Sequence, residues 1–166
     1  MSEDFDPTRL SSEKAARYAE LAEQIAAVLE GEPDRVARMA TVASMLASTF
    51  EHFYWTGFYV VDPAKGDELV VGPYQGALGC LRIAFGRGVC GKAAASGQTQ
   101  IVEDVNAFAD HIACDPRSVS EIVVPVWDGA GRLIGVLDVD ATVAAAFDRV
   151  DAAGLEAIVR QTFAGE

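Results

Sequence analysis

The sequence predicts an α+β fold: one domain in which a central antiparallel β-sheet carries N- and C-terminal helices packed on it. Three observations predict it. Apolar residues recur at helical spacing at both ends of the chain. Between those ends, short runs rich in Val, Ile and aromatic residues are bounded by turn residues. Two pairs of those runs are joined by connections short enough for hairpins, which makes neighbouring strands antiparallel.

The elements follow in chain order. Residues 1–10, MSEDFDPTRL, read as a flexible N-terminal segment. From Ser11 to Glu30 the residues Tyr18, Leu21, Ala22, Ile25, Val28 and Leu29 form the stripe of an amphipathic helix, capped by Ser11 or Ser12 and ended by Gly31 and Pro33. A second helix spans about Asp34 to Phe50, with Val36, Met39, Ala40, Ala43, Leu46 and Phe50 inward. YWTGFYVVD is a strand, PAKGDE a turn and ELVVGPY its hairpin partner. CLRIAF is a third strand, GRGVCGKAAASG a glycine turn into one short alanine-rich helix, and QTQIV a brief strand. Residues Glu103 to Ser120 form an 18-residue polar connection, a length more typical of functional loops than of simple links. EIVVPVW and RLIGVLDVD pair across the turn DGAG, and Phe147 to Phe163 closes the chain as a helix.

Composition narrows the function. A chain of 166 residues, 51% apolar and 23% charged, suits one globular domain with a substantial core. Its net charge of -12 argues against nucleic acid and against anionic membrane surfaces, both of which attract basic patches. No apolar run approaches the roughly 18 residues of a membrane span. The acidic start lacks the apolar stretch of a secretory signal, so a cytoplasmic protein is expected. Cys80, Cys90 and Cys114 form no CxxC pair and only His52 and His111 could add imidazole, so a structural zinc site is not expected.

Four constellations could carry chemistry. GRGVCG, residues 86–91, matches GxGxxG with Asp104 downstream, the outline of a dinucleotide fingerprint. Its helix is short for a crossover and its strands pair as hairpins, which favours a plain glycine turn against the sheet. Asp138 and Asp140, two apart on one strand, face the same side. Pairing across DGAG brings Glu121 opposite them. Three close carboxylates hold at least one proton above the usual range, ready to hydrogen-bond a developing oxyanion; otherwise they are solvated strand ends. Cys114 sits in the polar loop, seven residues before Glu121 and three after His111. Acidic neighbours do not favour its thiolate, although Arg117, exposure or backbone amides do, and a Cys–His nucleophile is the alternative. Trp55 and Tyr59, four apart on a strand, share a face and could wall a small apolar pocket, whereas Phe58 belongs to the core.

WTGFYV, LVVGPYQG, CLRIAFGRGVCG, FADHIACDPRSVSEIVVPV and GRLIGVLDVD together resemble the free methionine-(R)-sulfoxide reductases, small single-domain enzymes of the GAF fold. The likeness runs from about Trp55 to the last helix and includes the spacing of all three cysteines. It implies reduction of free methionine (R)-sulfoxide, with no metal or organic cofactor and a thioredoxin/NADPH system as external reductant. On that resemblance Cys114 holds the sulfoxide-attacking position, Cys80 that of the resolving thiol, and Cys90 that of an auxiliary or alternative resolver. Glu121, Asp138 and Asp140 match the carboxylates of the binding pocket, and Trp55 and Tyr59 its aromatic wall. GAF domains often pair through terminal helices, which implies a homodimer. The rival readings are a non-catalytic ligand-sensing GAF domain and a Cys–His acyl transferase.

Overall fold

A computed structural model describes residues 7–112 and 114–165. Among them lie helices α1 (Pro7–Val28), α2 (Arg35–Thr49), α3 (Gly88–Ser96) and α4 (Arg149–Phe163). The strands are β1 (Trp55–Val61), β2 (Glu68–Gln75), β3 (Arg82–Ala84), β4 (Gln100–Val102), β5 (Ser120–Trp127) and β6 (Leu133–Ala141). They form one sheet in the order β3-β2-β1-β6-β5-β4, antiparallel at every pairing. The expected α+β architecture is therefore the observed one.

Strand alternation divides the sheet between two cores. On one face Phe58, Ile122, Val124, Leu137 and Val139 pack against α1, α2 and α4. Ile25, Met39, Leu46, Phe58, Leu137 and Phe163 are each at most 1% exposed there. Burying such a side chain contributes about 2 kcal/mol, which makes this face the main source of stability. On the other face Trp55, Tyr59, Val123 and Val136 meet α3 and the loop that follows β4. The residues with chemistry alternate with the core residues along the same strands, so the helical layer on one face holds the site rigid on the other.

Local capping sets the helix ends. Asp34 accepts from the backbone N–H of Ala37 at 2.8 Å to start α2, and Asp148 with Asp151 makes a capping box at α4. Asp151 also accepts from Tyr18 Oη at 2.7 Å and from Lys14 Nζ at 2.9 Å, which fastens α1 to α4.

Some inner faces and boundaries differ from expectation: Val28 and Val36, at the ends of α1 and α2, are exposed, as is Ala40, because the buried stripe of α2 runs through Met39, Val42, Ala43 and Leu46. Helix α1 begins at Pro7, not at a Ser11 or Ser12 cap, so residues 7–10 are helical; residues 1–6 of the expected flexible segment lie outside the described residues. A proline at the first helical position loses no hydrogen bond, because that N–H has no intrahelical partner anyway. Strand β3 is only three residues long, so Cys80 precedes it instead of opening it. The long connection contains a 3-10 turn at Val105–Ala107, capped by Asp104.

Candidate active site

Strand register assembles the acidic cluster. Glu121 on β5 lies directly opposite Asp140 on β6, and Asp138 pairs with Val123 on one side and Gly57 on the other. Glu121 and Asp138 are 6% and 5% exposed, so the acids form a buried floor and are not solvated strand ends. Burial, then the charges of Asp138 and Asp140, push the Glu121 carboxyl well above the usual range. Burial pushes Asp138 up to about 6 and raises Asp140 as well. Burial thus favours the protonated form of each of the three carboxyls.

The other walls come from three directions. Trp55 and Tyr59 on β1 stack with ring centroids 5.6 Å apart, and Trp55 Nε1 donates to the Ala77 carbonyl at 2.9 Å. Tyr74 extends the stack at 5.0 Å from Trp55. Gly79 lets the chain press onto this wall: a Cβ there would sit 2.9 Å from the Trp55 ring and 3.1 Å from Tyr59 Oη. The next residue, Cys80, forms a disulfide with Cys114, with 5.4 Å between the Cα atoms. That bridge ties the loop after β2 to the loop before β5, across a pocket lined by Trp55, Tyr59, Cys90, Glu121, Asp138 and Asp140. His111 lines the same pocket, but Cys114 sulfur is bonded to Cys80 and not paired with an imidazole.

GRGVCG makes the roof. Gly86 and Gly88 have φ of +82° and +59°, and a Cβ on Gly91 would strike the Ala84 carbonyl. These glycines serve a tight strand-to-helix turn. Helix α3 has nine residues and stands on an antiparallel sheet, unlike a dinucleotide crossover. The turn aims Cys90 downward, where its thiol donates to Glu121 Oε1 at 3.8 Å. Cys90 is buried, and desolvation together with the nearby acids keeps it protonated. The sequence placed Cys90 only by resemblance; the structure puts it against the carboxylates.

Tyr54 and Asp115 escaped the sequence reading, and Arg117, read there as a neighbour favouring the Cys114 thiolate, is instead engaged by Asp115. Tyr54 Oη donates to Asp115 Oδ2 at 2.8 Å, and Arg117 donates to both Asp115 oxygens at 3.0 Å. The guanidinium also lies over the Tyr54 ring at 5.3 Å. Arg117 and then Tyr54 hold the Asp115 carboxyl well below the usual range. The residue after Cys114 is thus moored to the start of β1, across 61 positions of sequence. Tyr54→Phe removes one hydrogen bond from this mooring, worth about 1 kcal/mol or roughly a fivefold rate effect. The expected result is slower Cys80–Cys114 bond formation in a single-turnover experiment, with the overall fold unchanged by circular dichroism.

The raised Asp138 pKa also has a stability consequence. An acid whose folded pKa exceeds its unfolded one favours the folded state while protonated, and that contribution is lost as pH rises through the folded value. Between about pH 4 and 6 the wild type therefore loses stability relative to Asp138→Asn, with a ceiling near 3 kcal/mol. Asn keeps the shape and can donate to Glu121. Thermal melts of both proteins across that range should diverge as pH rises.

An α+β sheet with a thiol-and-carboxylate pocket on the face away from its terminal helices defines a small-molecule domain of the GAF class, and the GAF domain family matches residues 16–162. The free methionine-R-sulfoxide reductase of Escherichia coli (strain K12) is 43% identical, covering 89% of this chain and 87% of that one. The solved structure of the free methionine-R-sulfoxide reductase of Neisseria meningitidis in complex with its substrate is 50% identical, with a TM-score of 0.85 over 90% of this chain and 87% of that one. The Saccharomyces cerevisiae protein of the same name is 40% identical, covering 85% and 83% of the two chains. The chain belongs to the GAF domain family and, within it, to the free methionine-R-sulfoxide reductases. No helix among the described residues is long and apolar enough to cross a membrane.

Proposed function

We propose that this protein reduces free methionine (R)-sulfoxide through a cysteine cycle in which Cys114 attacks, a floor carboxyl delivers the proton and Cys80 resolves. One observation carries the reading: a disulfide joins Cys80 and Cys114 at a pocket floored by Glu121, Asp138 and Asp140. The relatives named above for this activity support it, and the N. meningitidis structure holds that enzyme's substrate.

In the reduced protein the Cys114 thiolate attacks the sulfoxide sulfur, charge moves onto oxygen, and a protonated carboxyl of the floor supplies the proton. Breaking the sulfur–oxygen bond leaves methionine and a sulfenic acid on Cys114. The Cys80 thiol condenses with that sulfenic acid, releasing water and forming the disulfide. Thioredoxin then returns both thiols by exchange while its own dithiol is oxidised. The cycle needs no metal or organic cofactor. The substrate's ammonium suits the acidic floor, and its methyl group suits the wall of Trp55 and Tyr59. We place the protein in the cytoplasm, where reductants of this kind keep thiols available. We also propose a homodimer through α1 and α4, whose outer face exposes Ala15, Ala19, Ala153 and Ala157.

The reading is tested by an NADPH-coupled thioredoxin assay on free methionine (R)-sulfoxide, with the S epimer and a peptide-bound sulfoxide as controls. Cys80→Ser should complete one turnover and then stall, with a sulfenic acid trapped on Cys114. Sustained turnover by the Cys80→Ser, Cys90→Ser double variant would remove the disulfide from the mechanism. A wild type inactive on the free sulfoxide would overturn the reductase reading itself.

A further inference from the structure

Cys90 is the one cysteine among the described residues outside the disulfide, and the cycle above gives it no required step. It is 4% exposed, and its neighbours are not those of an inert core thiol. One ligand atom from each of Cys90, Glu121 and Asp138 lies within 4.8 Å of the other two, all three residues buried. Asp138 Oδ1 is shielded from solvent and has no hydrogen-bond partner among the described residues. A buried carboxylate oxygen left bare costs free energy until a proton, a hydrogen-bond donor or a cation meets it. Among the described residues that line the shared pocket, Arg87, itself exposed, is the one lysine or arginine.

We propose that Cys90, Glu121 and Asp138 form a zinc(II) site that excludes the substrate, so that the ion acts as a reversible competitive inhibitor. The donor set selects the metal: a thiolate with two carboxylates suits zinc, whereas magnesium and calcium take oxygen donors alone. Around a tetrahedral zinc, neighbouring sulfur and oxygen ligands lie about 3.5–3.7 Å apart. Cys90 Sγ and Glu121 Oε1 are already 3.8 Å apart, close to that spacing, and the Asp138 oxygen lies within 4.8 Å of both. Binding displaces the Cys90 proton to solvent, along with any proton on the two carboxyls. The fourth position faces the cavity and takes water. An ion there occupies the negative floor proposed above for the substrate's ammonium.

Sequence spacing argued against a structural zinc site because no cysteine lies in a CxxC pair. The three ligands come instead from α3, β5 and β6 and meet only in the folded chain. The site also differs in kind, since its open position leaves the ion exchangeable. Cys80 and Cys114 take no part, so it exists in the oxidised protein, in which they are bonded together.

The test separates metal binding, which does not depend on the reductase reading, from inhibition, which does. Cobalt(II) is titrated into the full chain carrying Cys80→Ser and Cys114→Ser, whose single remaining thiol is Cys90. The expected result is one equivalent bound, with a thiolate-to-cobalt charge-transfer band in the near ultraviolet that zinc abolishes by displacement. Asp138→Asn in that background should weaken binding by about tenfold or more. Absence of the band, or a band with unchanged affinity after Asp138→Asn, overturns the site. In the coupled assay, zinc should raise the apparent KM for the sulfoxide with kcat unchanged, measured with the reductant saturating and shown to be unaffected by the ion. Cobalt binding without that competition retains the metal site and overturns its inhibitory role; an enzyme inactive even without zinc instead removes the reductase reading and leaves the binding result standing.

Discussion

Cys114→Ser is expected to lower turnover of free methionine (R)-sulfoxide by about three orders of magnitude or more, while leaving the fold intact. A serine hydroxyl at neutral pH is almost wholly protonated, whereas a cysteine thiol supplies a useful fraction of thiolate. The surroundings sharpen the contrast, because Cys114 is exposed and open to a soluble substrate. The substitution also removes the disulfide partner of Cys80. Single-turnover measurements separate the two losses, because a defect in the attack abolishes methionine release even without reductant. Wild-type methionine release from Cys114→Ser would move the nucleophile elsewhere.

The second large effect falls on the proton. Glu121→Gln preserves shape and can still donate a hydrogen bond, but it cannot transfer a proton. If Glu121 is the acid, kcat should fall by about a hundredfold. The wild type should lose activity on the alkaline side as its carboxyl ionises, since burial and two acidic neighbours hold that ionisation well above the usual carboxylate range. Glu121→Gln should lack this alkaline limb at its original position. An unchanged kcat with an unchanged limb would transfer the role to Asp138 or Asp140, both of which are also raised by burial.

The two carboxylate strands were the most legible part of the site. Period-two alternation places Asp138 and Asp140 on one face, and the DGAG turn fixes their register against Glu121 without any knowledge of the remaining fold. Trp55 and Tyr59 followed from the same rule on β1, with Phe58 on the opposite face. Periodicity says which face a side chain takes, but not which distant segment lies over that face. For that reason the placement of Cys90 over Glu121 was not readable, although the glycine turn that carries it was. Tyr54 gave no signal at all, because a tyrosine beside a strand becomes a loop anchor only when Asp115 arrives from the far side of the sheet. Helix α1 began early because Pro7 is a better first helical residue than its position near the terminus suggested.

The bridged pocket has a kinetic corollary. With Cys80 and Cys114 joined, the space above the acids amounts to about 50 Å³. A cavity of roughly 150 Å³ accommodates a benzene ring, and methionine sulfoxide is bulkier than that. On the proposed cycle, oxidation therefore expels the product and bars the next substrate until the reductant has acted. The two partners then visit in strict alternation and never form a ternary complex. Initial-rate plots at several reductant concentrations would take the parallel lines of a substituted-enzyme scheme, and excess sulfoxide would do nothing to slow its own regeneration step.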